Sequence, residues 1–118
     1  MKIIKNTITI IIISILLVTC GGSNPKISHV VVKSDRLGIL LDSKDSSILS
    51  DFSDIFYEKQ EEPNAGPEFK YLIDITIGSV TTRWQYSKDG FIRNYEESAS
   101  MIYHLRDTAT FNRLTKID

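Results

Sequence analysis

The sequence predicts an α+β fold, an antiparallel sheet of about four to six strands with one longer helix and a short C-terminal helix packed on one face. Three observations carry this reading. Ile48, Leu49, Phe52, Ile55 and Phe56 recur at helical spacing. Phe69 to Ile77 alternates apolar with polar residues, and further alternating segments follow it between turn residues. Near the end, Phe111, Leu114 and Ile117 stand three residues apart behind Asp107, a residue suited to capping a helix.

The elements follow in order. Ile27 to Lys33 (ISHVVVK) is β-branched and short, as a strand requires. Asp35-Arg36 reads as a turn, and Leu37 to Leu41 as a second strand or as the lead into the helix. Ser43 or Asp45 caps that helix, whose other face of Ser, Asp and Lys is solvated. Glu58 to Pro67 (EKQEEPNAGP) is polar and holds two prolines and a glycine, so it reads as a loop. Phe69, Tyr71, Ile73, Ile75 and Ile77 then share one face of a strand, with Lys70, Leu72, Asp74 and Thr76 on the other. Gly78-Ser79 turns the chain into Val80 to Ser87, where Val80, Thr82, Trp84 and Tyr86 share a face. Lys88-Asp89-Gly90 is a hairpin turn returning Phe91 to Tyr95 as the next strand. Ser98 to Leu105 is expected as the last strand, and Asp107 opens the final helix.

The first 26 residues have a different character. Lys2 and Lys5 precede an apolar run from Ile8 to Val18, broken only by Thr9 and Ser14. That is the charged and apolar pattern of an export signal, and it is shorter than the roughly 20 residues a membrane span needs. The domain organisation expected is therefore a signal peptide over 1–19, a lipidated cysteine and flexible tether over 20–26, and a single α+β domain over 27–118. Removing residues 1–19 takes away Lys2 and Lys5, leaving 12 basic against 15 acidic side chains, a net charge of −3. Such a balance lacks the basic footprint by which nucleic-acid binders neutralise phosphates, so no nucleic-acid partner is expected. It also lacks a polybasic patch for anionic headgroups, so attachment to a membrane must be covalent.

Cys20 is the only cysteine, which excludes an internal disulfide. Leu17-Val18-Thr19-Cys20 resembles the lipobox of bacterial lipoproteins, a resemblance that implies diacylglyceryl transfer to the sulfur and cleavage just before the cysteine. Two or more acyl chains anchor stably where one holds only marginally. Leu17 fits the pattern; Thr19 departs from it, since Gly, Ala or Ser usually precedes the cysteine. Gly21-Gly22-Ser23-Asn24-Pro25 then has the composition of a flexible tether.

Parts for catalysis are few. His29 and His104 fall on separate strands, with no spacing that gathers the three or four ligands of a zinc site. No glycine-rich phosphate loop follows a strand, and no serine sits in a nucleophile elbow. Glu58, Glu61 and Glu62 lack the alternating carboxylates and the glycine of a calcium loop and read as a solvated run. Neither a metal nor a cofactor is expected, and no catalytic residue is assigned. The aromatic row is the notable surface. Trp84 and Tyr86 alternate on one strand, Phe91 and Tyr95 lie just across the turn, and with Arg83 or Arg93 nearby this row forms either a platform for a ligand or partner or the buried face of the sheet. In a domain this small the core recruits most large side chains, which favours burial.

The Trp84-x-Tyr86 strand, the hairpin, Met101-Ile102-Tyr103-His104-Leu105 and the closing Phe111-x-x-Leu114 helix together resemble the small lipoproteins of the Bacillus YhfM-like family over residues 27–117. The resemblance implies a fold and a location, lipid-anchored on the outer side of the cytoplasmic membrane, and brings no established activity or catalytic residue. In a Gram-negative source, Gly21 in place of the aspartate that retains lipoproteins at the inner membrane would direct the chain to the outer membrane. The expected function is a non-enzymatic interaction or accessory module of the cell envelope, held to the membrane by lipid on Cys20 and meeting an envelope protein partner. The alternatives are a module binding a small ligand or envelope polymer, and an inhibitor or immunity lipoprotein that uses the Glu58–Pro67 loop.

Overall fold

The computed structural model describes residues 24–97 and 101–117. The elements run β1 (Ile27–Ser34), β2 (Gly38–Ser43), α1 (Ser46–Tyr57), β3 (Gln60–Glu61), β4 (Tyr71–Ile77), β5 (Val80–Tyr86), β6 (Phe91–Asn94), β7 (Tyr103–His104) and α2 (Thr108–Thr115). The strands form one antiparallel sheet in the order β2-β1-β4-β5-β6-β7-β3. The α+β class with a longer and a short C-terminal helix is as expected.

The strand count is not: the described residues form seven strands, where four to six were expected. The surplus is β3, two residues long; β7, also two residues, falls within the expected last strand. Gln60–Glu61 lies inside the segment read as a loop, because a polar pair carries no alternation to detect. It becomes a strand only because Tyr103 and His104 lie opposite it, and Glu62 N–H extends the pairing to Ile102 O at 2.8 Å. The last strand is also shorter than Ser98–Leu105; positions 98–100 lie outside the described residues. Leu37–Leu41 resolves as an edge strand that starts at Gly38, behind the Asp35–Leu37 turn.

Helix α1 links the two edges of this sheet, leaving β2 on one side and entering β3 on the other. Its start is fixed by Asp45, whose carboxylate accepts from the N–H groups of Ser47 and Ile48, two of the donors a helix leaves unpaired. Leu49, Phe52 and Phe56 are its buried stripe. Asp107 caps α2 in the same way by accepting from Thr110 N–H. That helix ends on Lys116 in the left-handed region at φ 63°, with Ile117 N–H returning to Asn112 O and Lys116 N–H to Arg113 O. This double closure seats Ile117 in the core, where it is 4% exposed.

The core lies between the helices and one sheet face. Val30, Val32, Ile73, Ile75, Tyr86 and Ile92 rise from the strands to meet Phe52 and Phe56 of α1 and Phe111 of α2. Phe111 joins the layers, its ring centroid 5.0 Å from Phe52 and 4.8 Å from Tyr86. Each fully buried side chain of this size contributes about 1.5–3 kcal/mol relative to exposure, so these few rings account for much of the cohesion. Gly90, at φ 96° in the β5–β6 turn, lets the backbone pass against α2; a Cβ there would overlap the Thr108 hydroxyl.

Candidate functional site

Cys20, the expected lipidation site, lies outside the described residues. Pro25, further along the expected tether, is held firmly. Tyr57 O–H donates to Pro25 O at 2.7 Å, pinning the approach to β1 against the end of α1. Between this approach and α1 lies a cleft of about 580 Å³ lined by Lys26, Ile27, Leu49, Ser53 and Tyr57.

The residues expected to share one platform divide between the two faces of the sheet: Trp84 and Tyr86 lie on the core face, Arg83, Arg93 and Phe91 on the other, and Tyr95 is exposed beyond the end of β6. Tyr86 is fully buried, and its O–H donates to Asn112 Oδ1 at 2.6 Å, tying β5 to α2. Burial pushes the Tyr86 phenol far above its ordinary pKa, so it serves as a fixed donor. Trp84 lies on the same face, half-buried, its ring 5.0 Å from Phe56 at an interplanar angle of 87°. Arg83 and Arg93 project from the opposite face, because alternate residues of a strand point to opposite sides.

On that face, which no helix among the described residues covers, the register aligns Lys33, Leu72, Gln85 and Arg93 in one row and Val31, Asp74 and Arg83 in the next. Asp74 is the centre of the charge pattern. Arg83 grips both its oxygens, Nε to Oδ1 at 2.8 Å and Nη2 to Oδ2 at 3.1 Å, while Lys33 Nζ stands 3.3 Å from Oδ2. The Arg83 hydrogen bonds, with smaller help from the charges of Arg83 and Lys33, hold the Asp74 carboxyl below its usual range against the opposing effect of burial. Arg93 Nε donates to Gln85 Oε1 at 2.8 Å, and its guanidinium lies 4.9 Å from the Phe69 ring centre. His29 and Asp42 pair at 2.6 Å towards the β2 edge. These charged side chains find their partners inside the molecule.

A different arrangement surrounds Lys59, just beyond α1. Its ammonium nitrogen lies 4.0 Å from the centre of the Phe56 ring, 5.1 Å from Tyr103 and 5.4 Å from Trp84. It also donates, at 3.5 Å, to the Phe56 carbonyl at the negative end of the helix. Among the described residues it forms no ion pair. Burial disfavours its charged form and lowers its pKa, whereas three ring faces attract a cation, so the cluster stabilises a charge that the interior otherwise resists. Sequence reasoning assigned Glu58–Pro67 to a loop and passed over Lys59; the signal available was a lysine three residues after a core phenylalanine.

Among the described residues no group of three or more His, Cys, Asp or Glu side chains is placed to hold a metal ion, and no helix is long and apolar enough to cross a membrane. No family model, curated protein or solved structure matches the chain.

Proposed function

We propose that the chain is a lipid-anchored domain of the bacterial cell envelope, acting as a non-catalytic interaction or accessory module. The observation that carries this reading is Cys20, placed at the end of an apolar run behind Lys2 and Lys5 and followed by Gly21-Gly22-Ser23. The fold adds a consequence. β1 begins at Ile27, seven residues after Cys20. Even fully extended, that stretch reaches about 24 Å, so an anchored domain works close to the bilayer rather than far above it. Intact mass of the membrane-extracted protein, for the wild type and Cys20→Ala, tests the reading. A chain beginning at Cys20 with a lipid-sized addition, lost in the variant, is expected. An unmodified mature chain in the medium would refute the anchor, and a full-length membrane-bound chain would replace it with an uncleaved signal anchor.

A second reading, a module that binds a small ligand, is favoured by one observation: Trp84 is only half-buried and stands beside the Lys59 ammonium. Iodide quenching of the single tryptophan tests whether a solute reaches that corner; emission unaffected by iodide would exclude it.

A further inference from the structure

We propose that Phe56, Trp84 and Tyr103 form a receptor site for an organic ammonium ion, which Lys59 occupies in the free protein. The inference rests on the ligand-binding reading and is independent of the lipid anchor. Its geometric basis is the meeting of three rings from three elements: Phe56 near the end of α1, Trp84 in β5 and Tyr103 in β7. Phe56 and Trp84 stand at 87° with centroids 5.0 Å apart, which makes two perpendicular walls; Tyr103 supplies a third contact. The ammonium in this corner is within 5.4 Å of every ring centre.

Among the described residues no carboxylate pairs with Lys59, although the β3–β7 register sets Glu61 opposite Tyr103, so the rings supply the direct contacts to the cation. Ring faces carry negative potential, and the Phe56 carbonyl adds the negative end of a helix dipole. A carboxylate would fix any cation, including metal ions and strongly hydrated amines. Rings favour a weakly hydrated ammonium whose carbon substituents also gain contact, which is the chemistry of quaternary ammonium recognition. Lys59 is a mediocre occupant by comparison. Its ammonium is well hydrated, it reaches the corner on a stem that must be immobilised, and its hydrogen bond to Phe56 O is long at 3.5 Å. Phe56 is 4% exposed, whereas Trp84 and Tyr103 are only partly buried, so solvent reaches two of the three rings. The site is thus held closed by its own chain, and a ligand enters by displacing Lys59.

Tetramethylammonium chloride titrated into the full-length protein in detergent, with sodium chloride at equal ionic strength as control, tests this by the emission of Trp84. Lys59→Ala vacates the corner and is expected to saturate at a concentration about tenfold below the wild type, the factor that loss of one good cation–ring competitor implies. Adding Tyr103→Leu to Lys59→Ala is expected to abolish saturation. No saturable change in Lys59→Ala with native circular dichroism, or the same midpoint in both proteins, overturns the proposal. If Lys59→Ala does not fold, Lys59→Val keeps the base of the stem, ends short of the rings and carries the same expectation. Iodide quenching in the same samples separates the two levels. Quenching without ammonium saturation refutes the receptor site alone, whereas no quenching removes the ligand-binding reading with it.

Discussion

Replacing Asp74 by Asn probes the ion cluster at the centre of the uncovered face. Asparagine keeps the shape and one acceptor oxygen but removes the charge that Arg83 grips with two hydrogen bonds and Lys33 approaches at 3.3 Å. Hydrogen bonds to a charged group contribute about 1.5–3 kcal/mol. Asp74 is 15% exposed, but Arg83 is 38% and Lys33 37% exposed, so solvent screens the cations and the low end applies. A loss of about 1–2 kcal/mol at pH 7 follows, equivalent to a fall in Tm of about 5–10 °C for a domain of this size. The pH dependence has a definite sign. The carboxyl is held below its unfolded value of 3.8, so its contribution is complete above that pH and is lost as pH falls through the lower folded value. Denaturant unfolding of wild type and Asp74→Asn, followed by tryptophan emission, should therefore show a gap at pH 7 that narrows steadily below pH 3.8. A gap that persists unchanged in acid, or no gap at pH 7, would refute the reasoning.

Other sites give sharper structural tests. Phe111→Ala removes the ring that joins both helices to the sheet and should cost about 3–5 kcal/mol, read as a fall in the denaturant midpoint. Gly90→Ala forces a side chain into φ 96° and onto the Thr108 hydroxyl; a loss of about 2 kcal/mol or more is expected by thermal melting. Lys116→Gly works in the opposite direction: relieving a left-handed non-glycine residue at φ 63° should raise stability by about 1 kcal/mol, and an unchanged Tm would show that the lysine adopts this conformation without strain.

Period and capping made most of this fold legible. The stripe of Leu49, Phe52 and Phe56 behind Asp45 is visible as a helix because 3.6-residue spacing and a capping carboxylate coincide. The alternation in Tyr71–Ile77 and Val80–Tyr86 fixes both strands and, through the turns, their antiparallel pairing. β3 was illegible for the opposite reason. Two residues cannot display a period, and the strand character of Gln60–Glu61 resides in its pairing with β7 across more than forty positions of chain. The Lys59 corner was hidden likewise, since its three rings come together only when α1 crosses the sheet to the β3 edge.

The platform imagined around Trp84 shows where proximity in sequence misleads. Arg83 and Trp84 are consecutive, yet a strand's period of two makes them the least able of neighbours to act on one ligand. The same period sorts the whole sheet. Tyr71, Trp84, Tyr86 and Tyr103 go to the helix side, and Lys33, Asp74, Arg83, Phe91 and Arg93 fall on the other. Their exposure does not make that side adhesive. The cations of the Asp74 cluster are already engaged, and a partner docking there must desolvate paired charges for little return. Lys59 is the contrasting case. It is a cation without an ion pair among the described residues, held by rings that would stabilise another ammonium at least as well. Recognition by this domain is therefore expected at the aromatic corner where α1, β5 and β7 meet, and not across the broad charged face.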